Sequence, residues 1–276
     1  MVKSKKTNLL LDKSKEILMT YANKGIKLTL RQLYYQLVSE NIISNNEKEY
    51  KNLSRILTNA RYSGEIDWKL IEDRIRIPNI PNTFRSIKHL LEVAKKSYQL
   101  NRWEGQEYYI EVWAEKDALA SVIEPITNKY QVPFCVNRGY ASVTAIFEGI
   151  RRLNLEKINI ILYIGDHDPS GLDMIRDIQK RLDMLGANAQ VIPIALTIKQ
   201  IKKYNLPPNP TKITDARAKN YVEEYGGTCW EADALSPEVL QEIVEYNILK
   251  YLDTDKFNLI IKQEQDDLIS IGGKLK

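Results

Sequence analysis

The chain has 276 residues, 43% hydrophobic and 28% charged; this is enough for one large or two modest domains with a real core, and no apolar run approaches the ~20 residues of a membrane helix. No secretory apolar stretch follows Met1, and Cys135, Cys229, His89 and His167 show no zinc-site spacing, so a cytoplasmic protein with two reduced thiols is expected. The net charge of +4 is uneven: residues 1–90 hold 17 Lys and Arg against 9 Asp and Glu, and the remainder 23 against 27, a basic part suited to nucleic acid and an acidic part suited to a metal.

The first expected helix runs from Leu9 to Asn23 and stops before Gly25. Thr29-Leu-Arg-Gln32 is a capping box, so a second helix starts there. Its apolar stripe is Leu30, Leu33, Tyr34, Leu37 and Val38. Tyr34 therefore belongs to the core, whereas Tyr35, four residues after Arg31, is expected on another face. That pair would contact a phosphate or simply stack at the surface. A third helix over 48–62 turns Tyr50, Leu53, Leu57 and Ala60 inward and Lys51, Arg55 and Asn59 outward, the residue mix used on phosphates and base edges. Gly64 ends it. Glu65–Ile77, with Trp68, Arg74 and Arg76, would supply a wing. Residues 1–78 thus read as a winged helix-turn-helix that binds DNA through Lys51, Arg55, Asn59, Arg74 and Arg76; a plain helical packing domain is the alternative.

Pro78-Asn-Ile-Pro-Asn-Thr83 is a breaker segment, and a helix over 84–100 follows, making 79–105 a linker with a bridging helix. Strands are expected at 108–112, 132–136, 158–164 and 190–194, alternating with helices at 118–130, up to Leu153, and at 172–185. This order implies an α/β domain over 106–200 with a parallel sheet, its functional groups beyond the carboxyl ends of the strands. Residues 201–276 read as a C-terminal helical extension. Glu115 follows the first of these strands and Asp166 and Asp168 the third. Two aspartates at i and i+2 point the same way. If the two strands are neighbours, Glu115 completes a three-carboxylate site for Mg²⁺ or Mn²⁺, with Gly165 leaving room for a ligand. The alternative is an Asp-rich turn with Asp168 at a helix N-terminus. His167 points away from the aspartates and reads as structural or substrate-side.

The stretches Val112-Trp-Ala-Glu-Lys-Asp-Ala-Leu119, Arg138-Gly-Tyr140 and Gly165-Asp-His-Asp-Pro-Ser-Gly171 together resemble the Toprim domain, a Rossmann-like parallel sheet found in topoisomerases, primases and several nucleases. With Arg31-Gln-Leu-Tyr-Tyr35 ahead of it, the layout resembles the A subunit of type IIB topoisomerases, the meiotic double-strand-break proteins and the Toprim nuclease of Wadjet-type defence systems. Trp230-Glu-Ala-Asp-Ala-Leu235 is similar to the acidic C-terminal stretch of that family. Phage and mobile-element proteins share the layout.

The resemblance spans most of the chain. It implies a winged helix ahead of a Toprim domain, Mg²⁺ (or Mn²⁺) held by Glu115, Asp166 and Asp168, and Lys116 beside Glu115 among the catalytic groups. It also implies that Tyr35 attacks a phosphate of double-stranded DNA while Arg31 positions it. A homodimer would bring the tyrosine of one subunit to the metal of the other. No G-x-x-x-x-G-K-[ST] loop occurs, so any ATPase would be a separate subunit. The Wadjet-type relatives cut without a tyrosine nucleophile, so an activated water is the other route. The expected activity is Mg²⁺-dependent DNA strand cleavage. A non-catalytic DNA-binding or assembly subunit, and a primase-like or RNA-processing enzyme, are the alternatives.

Overall fold

The computed structural model describes residues 5–72, 83–211 and 217–274. Helix α1 (Lys5–Asn23) ends where Gly25 adopts a φ of +75°, a conformation that a Cβ disfavours. After the two-residue strand β1 (Leu28–Thr29), the predicted capping box opens α2 (Leu30–Ser39). The Thr29 hydroxyl accepts from the Gln32 N–H, and Gln32 Oε1 accepts from the Thr29 N–H at 2.8 Å. Asn46 caps α3 (Glu47–Tyr62). A 3₁₀ turn at Trp68–Leu70 leads into β2 (Ile71–Glu72), which pairs in parallel with β1. Of the expected wing over 65–77, Arg74, Arg76 and the other residues from 73 on lie outside the described residues.

The chain continues through α4 (Ile87–Ser97), β3 (Tyr108–Ala114), a 3₁₀ turn, α5 (Ala120–Lys129), β4 (Phe134–Val136), α6 (Val143–Arg152), β5 (Ile158–Ile164), α7 (Pro169–Met184) and β6 (Ala189–Ala195). The four longer strands form one parallel sheet in the order β4-β3-β5-β6. After α8 (Ile198–Tyr204), strand β7 (Asn209–Pro210) pairs antiparallel with β8 (Thr228–Cys229), with α9 (Ala218–Tyr225) between them in sequence. Then come a 3₁₀ turn at Ala232–Ala234, α10 (Pro237–Leu249) and α11 (Thr254–Lys274).

Side-chain alternation gives the sheet two buried faces, as a parallel sheet requires. Ile110, Val112, Ala114, Ile160, Leu162 and Ile164 share one core with α5 (Val122, Ile123) and α10 (Leu240, Val244, Ile248). Trp113, Ile161 and Tyr163 face the other way, onto Ile146 of α6 and Met174, Ile178 and Leu182 of α7. The first core also contains Leu18, Leu33 and Leu57 from α1, α2 and α3, so the N-terminal helices share one continuous core with the sheet layer, and α2 meets the Ala232–Ala234 turn. No described helix is long and apolar enough to cross a membrane.

Tyr35 corrects the sequence reading. It is only 3% exposed and as much a core residue as Tyr34. A single apolar stripe describes a helix with one packing partner. In the fold α2 packs against α1, α3 and the Ala232–Ala234 turn, and the Tyr35 hydroxyl is bonded to Asn209, so the face that carries Tyr35 is covered by later parts of the chain.

Candidate metal centre

Strands β3 and β5 are neighbours, with Ala114 opposite Ile164. The Glu115 N–H donates to the Ile164 carbonyl at 2.9 Å, so Glu115 and the Gly165-Asp166 pair emerge together at the carboxyl end of the sheet. From here β3 connects outward to β4 and β5 outward to β6, the switch point where parallel α/β sheets place their ligands. Glu115 Oε2 accepts from the Asp166 N–H at 3.0 Å. Gly165 is needed for this approach: a Cβ there would lie 2.7 Å from the Tyr163 ring and 3.0 Å from Glu115 Oε2. At Gly171 a Cβ would come within 2.2 Å of the Asp166 carbonyl oxygen, so α7 can start this close to the strand end only without a side chain.

The two aspartates differ. Asp168 caps α7, its Oδ1 accepting from the Gly171 N–H at 2.7 Å, so the helix-turn reading accounts for part of its role. Asp166 caps nothing. An antiparallel bridge between His167 and Trp230 brings the acidic 230–235 segment alongside, and Asp166 Oδ1 accepts from the Ala232 N–H at 3.0 Å. Glu231 and Asp233 therefore flank Asp166. The Lys116 Nζ sits among them, 2.6 Å from Asp166 Oδ2, 2.9 Å from Glu231 Oε2 and 3.1 Å from Asp233 Oδ2. From α2, Arg31 Nη2 reaches Glu231 Oε1 at 2.6 Å, and its Nε lies 4.0 Å from Asp233 Oδ2. Two cations thus stand among five carboxylates. Asp233 Oδ1 is buried with no hydrogen-bond partner among the described residues.

The electrostatics follow from that imbalance. Burial pushes the Asp166 carboxyl up to about 7; Lys116 opposes the shift, and repulsion from Glu115 and Asp233 adds to it. Burial also raises Glu115, although its bond from the Asp166 N–H and the charge of Lys116 pull the other way, and Asp168 and Asp233 add repulsion. Glu231 goes the opposite way: burial would raise it, but Lys116 and Arg31 together hold it below the usual range. Lys116 is disfavoured as a cation by burial, yet the three carboxylates around it raise its pKa. The donors are hard carboxylate oxygens with no thiolate or imidazole, a set that fits Mg²⁺ or Mn²⁺ rather than zinc.

Of the predicted site residues, Glu115, Lys116, Asp166, Asp168 and Arg31 converge here. Tyr35 lies one turn beyond Arg31, its hydroxyl accepting from Asn209 Nδ2 at 3.1 Å. Burial, aided by Glu231, pushes that phenol well above its ordinary range, the reverse of an activated nucleophile. Lys51, Arg55 and Asn59 are exposed along α3, as the periodicity predicts. Lys51 pairs with Glu47 at 2.7 Å, and Arg55 donates to Asn52 Oδ1 at 3.0 Å. His167 is structural: its Nδ1 is 2.9 Å from the Tyr221 hydroxyl, and its ring packs on Tyr225 and Trp230.

Sequence reasoning missed the part played by Glu231 and Asp233. The signal was present, since they repeat the i, i+2 acid spacing of Asp166 and Asp168. A cavity lined by Trp103, Tyr109, Arg152 and Lys157 lies near the amino ends of β3 and β5, opposite the acids, and its lining holds no carboxylate. Neither a comparison with protein-family models nor one with curated proteins returns a match for the chain.

Proposed function

We propose that the chain is a Mg²⁺- or Mn²⁺-dependent enzyme that cleaves duplex DNA by hydrolysis, with a Toprim-type α/β domain behind a winged-helix DNA-binding unit. The observation that carries this reading is the excess of buried carboxylate at the β3–β5 switch point, with Asp233 Oδ1 unpartnered among the described residues. Glu115, Asp166 and Asp168 would hold the cation. When bound, it would stabilise charge on the scissile phosphate and make a coordinated water nucleophilic near neutral pH. Lys116 and Arg31 keep the neighbouring acids in place and present positive charge where phosphate oxygens would enter. Lys51, Arg55 and Asn59, exposed along α3, would follow the DNA backbone and base edges. The short parallel β1–β2 pair stands where a wing would begin.

Tyr35 favours water over a phosphotyrosyl link, because it is buried, hydrogen-bonded and raised in pKa. A hydrolytic route needs neither a tyrosine delivered by a second subunit nor an ATPase partner.

Incubating the pure protein with supercoiled plasmid and Mg²⁺ or Mn²⁺ tests the reading. Nicked or linear products free of covalently attached protein are expected, with Tyr35→Phe retaining activity. Asp166→Ala should lose at least about 10³-fold in rate, the several kcal/mol of barrier lowering a catalytic cation supplies. Absence of cleavage with either metal at any protein concentration would overturn the proposal.

A further inference from the structure

The exposed stripe of α3 does not end with its polar groups. Tyr62 follows Lys51 by about three turns, so it continues the face that Lys51, Arg55 and Asn59 present. Its ring is 77% exposed, and Trp68, at the start of the following 3₁₀ turn, is 52% exposed. The two rings meet edge to face with centroids 5.4 Å apart. The Arg61 guanidinium stands 4.5 Å from the Trp68 ring centroid, a cation–π contact that holds the indole in place. The chain between the rings is fixed as well. The Gly64 and Glu65 N–H groups donate to the Arg61 and Ala60 carbonyls at 3.2 and 2.9 Å, and buried Ile66 anchors the loop. Two large aromatic rings are thus held out in water on a fixed backbone, where neither gains the free energy of burial. Aromatics grouped in this way at the surface mark a binding surface.

We propose that Tyr62 and Trp68 form a stacking platform for an unpaired DNA base, so that the chain prefers a duplex with a bulged base over a fully paired one. The inference rests on the DNA-binding reading of α3 above and narrows its substrate class. A nucleotide joins an aromatic plane to an anion. The surface offers the matching pair: an open Tyr62 ring, with Lys51 and Arg55 along the same face and Arg61 beside Trp68. The nearest acids are each engaged. Glu47 pairs with Lys51, Glu65 accepts from the Ser63 hydroxyl at 2.8 Å, and Asp67 accepts from the Lys69 N–H at 2.9 Å. An apolar protein segment would need a continuous apolar patch, whereas Ser63, Asp67 and Lys69 are exposed around the two rings. A base inside an intact duplex has both faces covered by its neighbours. Stacking on Tyr62 is therefore easiest for a base that is already unpaired.

The test uses the full chain in chelator and two short duplexes in which one 5-iodouracil is either paired with adenine or bulged out unpaired. Fluorescence anisotropy compares the affinities, and irradiation of the complexes joins the iodouracil to an aromatic ring stacked on it. The wild type should bind the bulged duplex at least about fivefold tighter, the lower end of what one aromatic–base stack contributes. Its crosslink should map to Tyr62 or Trp68 with the bulged base and to neither with the paired one. Tyr62→Ala and Trp68→Ala should lose the preference while keeping their affinity for the paired duplex, and Tyr62→Phe should retain it. Lys51→Ala with Arg55→Ala should weaken both duplexes by the same factor. Equal wild-type affinities, or a preference that survives in both alanine variants, would overturn the platform and leave the DNA-binding reading standing. Binding to neither duplex would overturn both. Should an alanine variant fail to fold by circular dichroism, the wild-type crosslink decides: attachment at neither residue overturns the platform.

Discussion

Glu111 and the Asp166 cluster sit at two points along the same sheet, and both bury carboxylates. On β3, Glu111 Oε1 accepts from Arg152 Nε and the Tyr109 hydroxyl, each at 2.8 Å. Its Oε2 accepts from Trp113 Nε1 at 2.7 Å and Arg152 Nη2 at 2.9 Å. One carboxylate meets one guanidinium and two neutral donors, and each oxygen has two partners. Four residues on, at the strand end, five carboxylates share Lys116 and Arg31, and one buried oxygen of Asp233 has no donor among the described residues. Burial of charge does not by itself mark a functional site, because a closed pair is a structural solution. A buried charge that the surrounding side chains leave unbalanced points to a ligand.

The largest expected effect tests the structural half of that contrast. Glu111→Gln should lower the unfolding free energy by about 2 kcal/mol, since it weakens the charge-assisted bonds from Arg152 and sets an amide N–H against the donors around the buried side chain. It should leave Mn²⁺ binding unchanged, and denaturant unfolding and a metal titration check both parts. Next comes the acidic half. Asp166 titrates at about 7 in the fold because burial raises it, against about 3.9 in an unfolded chain. The folded state therefore holds this proton more tightly. Its stabilising contribution is complete below pH ~4 and is lost as pH rises through about 7. In chelator, the denaturation midpoint should fall from pH 5 to pH 8, and the fall should shrink in Asp166→Asn.

A third region shows whether DNA binding is separable from the metal. Lys51→Ala with Arg55→Ala should reduce the salt dependence of DNA affinity by about two in slope while leaving Mn²⁺ binding intact, as fluorescence anisotropy at several salt concentrations would show. The smallest effect belongs to Tyr35→Phe. It removes one hydrogen bond to Asn209, costing about 1 kcal/mol, and cleavage should stay within a few-fold of wild type. A complete loss of cleavage in this variant would restore the tyrosine route.

Much of this was legible in the sequence wherever the signal is local. The Thr29–Gln32 capping box, the outward face of α3 and the strand–helix alternation are set by neighbours within one or two turns, and each holds. The Glu115–Asp166 meeting was conditional on strand order, which periodicity does not encode, and the β3–β5 register satisfies it. Tyr35 failed for a tertiary reason: its face of α2 is covered by a segment about 200 residues later in the chain. Glu231 and Asp233 were hidden for the same reason, because long-range contacts such as the His167–Trp230 bridge and the Ala232–Asp166 bond bring their acidic stretch to the strand end.

The contrast between the two carboxylate regions is tested most directly by thermal unfolding of wild type, Glu111→Gln and Asp166→Asn, each with chelator and with millimolar Mn²⁺. A cation bound only by the folded state raises the transition temperature. The account predicts a clear Mn²⁺-dependent rise in wild type and an equal rise in the less stable Glu111→Gln, with little or none in Asp166→Asn. A rise that persists in Asp166→Asn, or its absence in wild type, would contradict the assignment of the cation to the β3–β5 strand end.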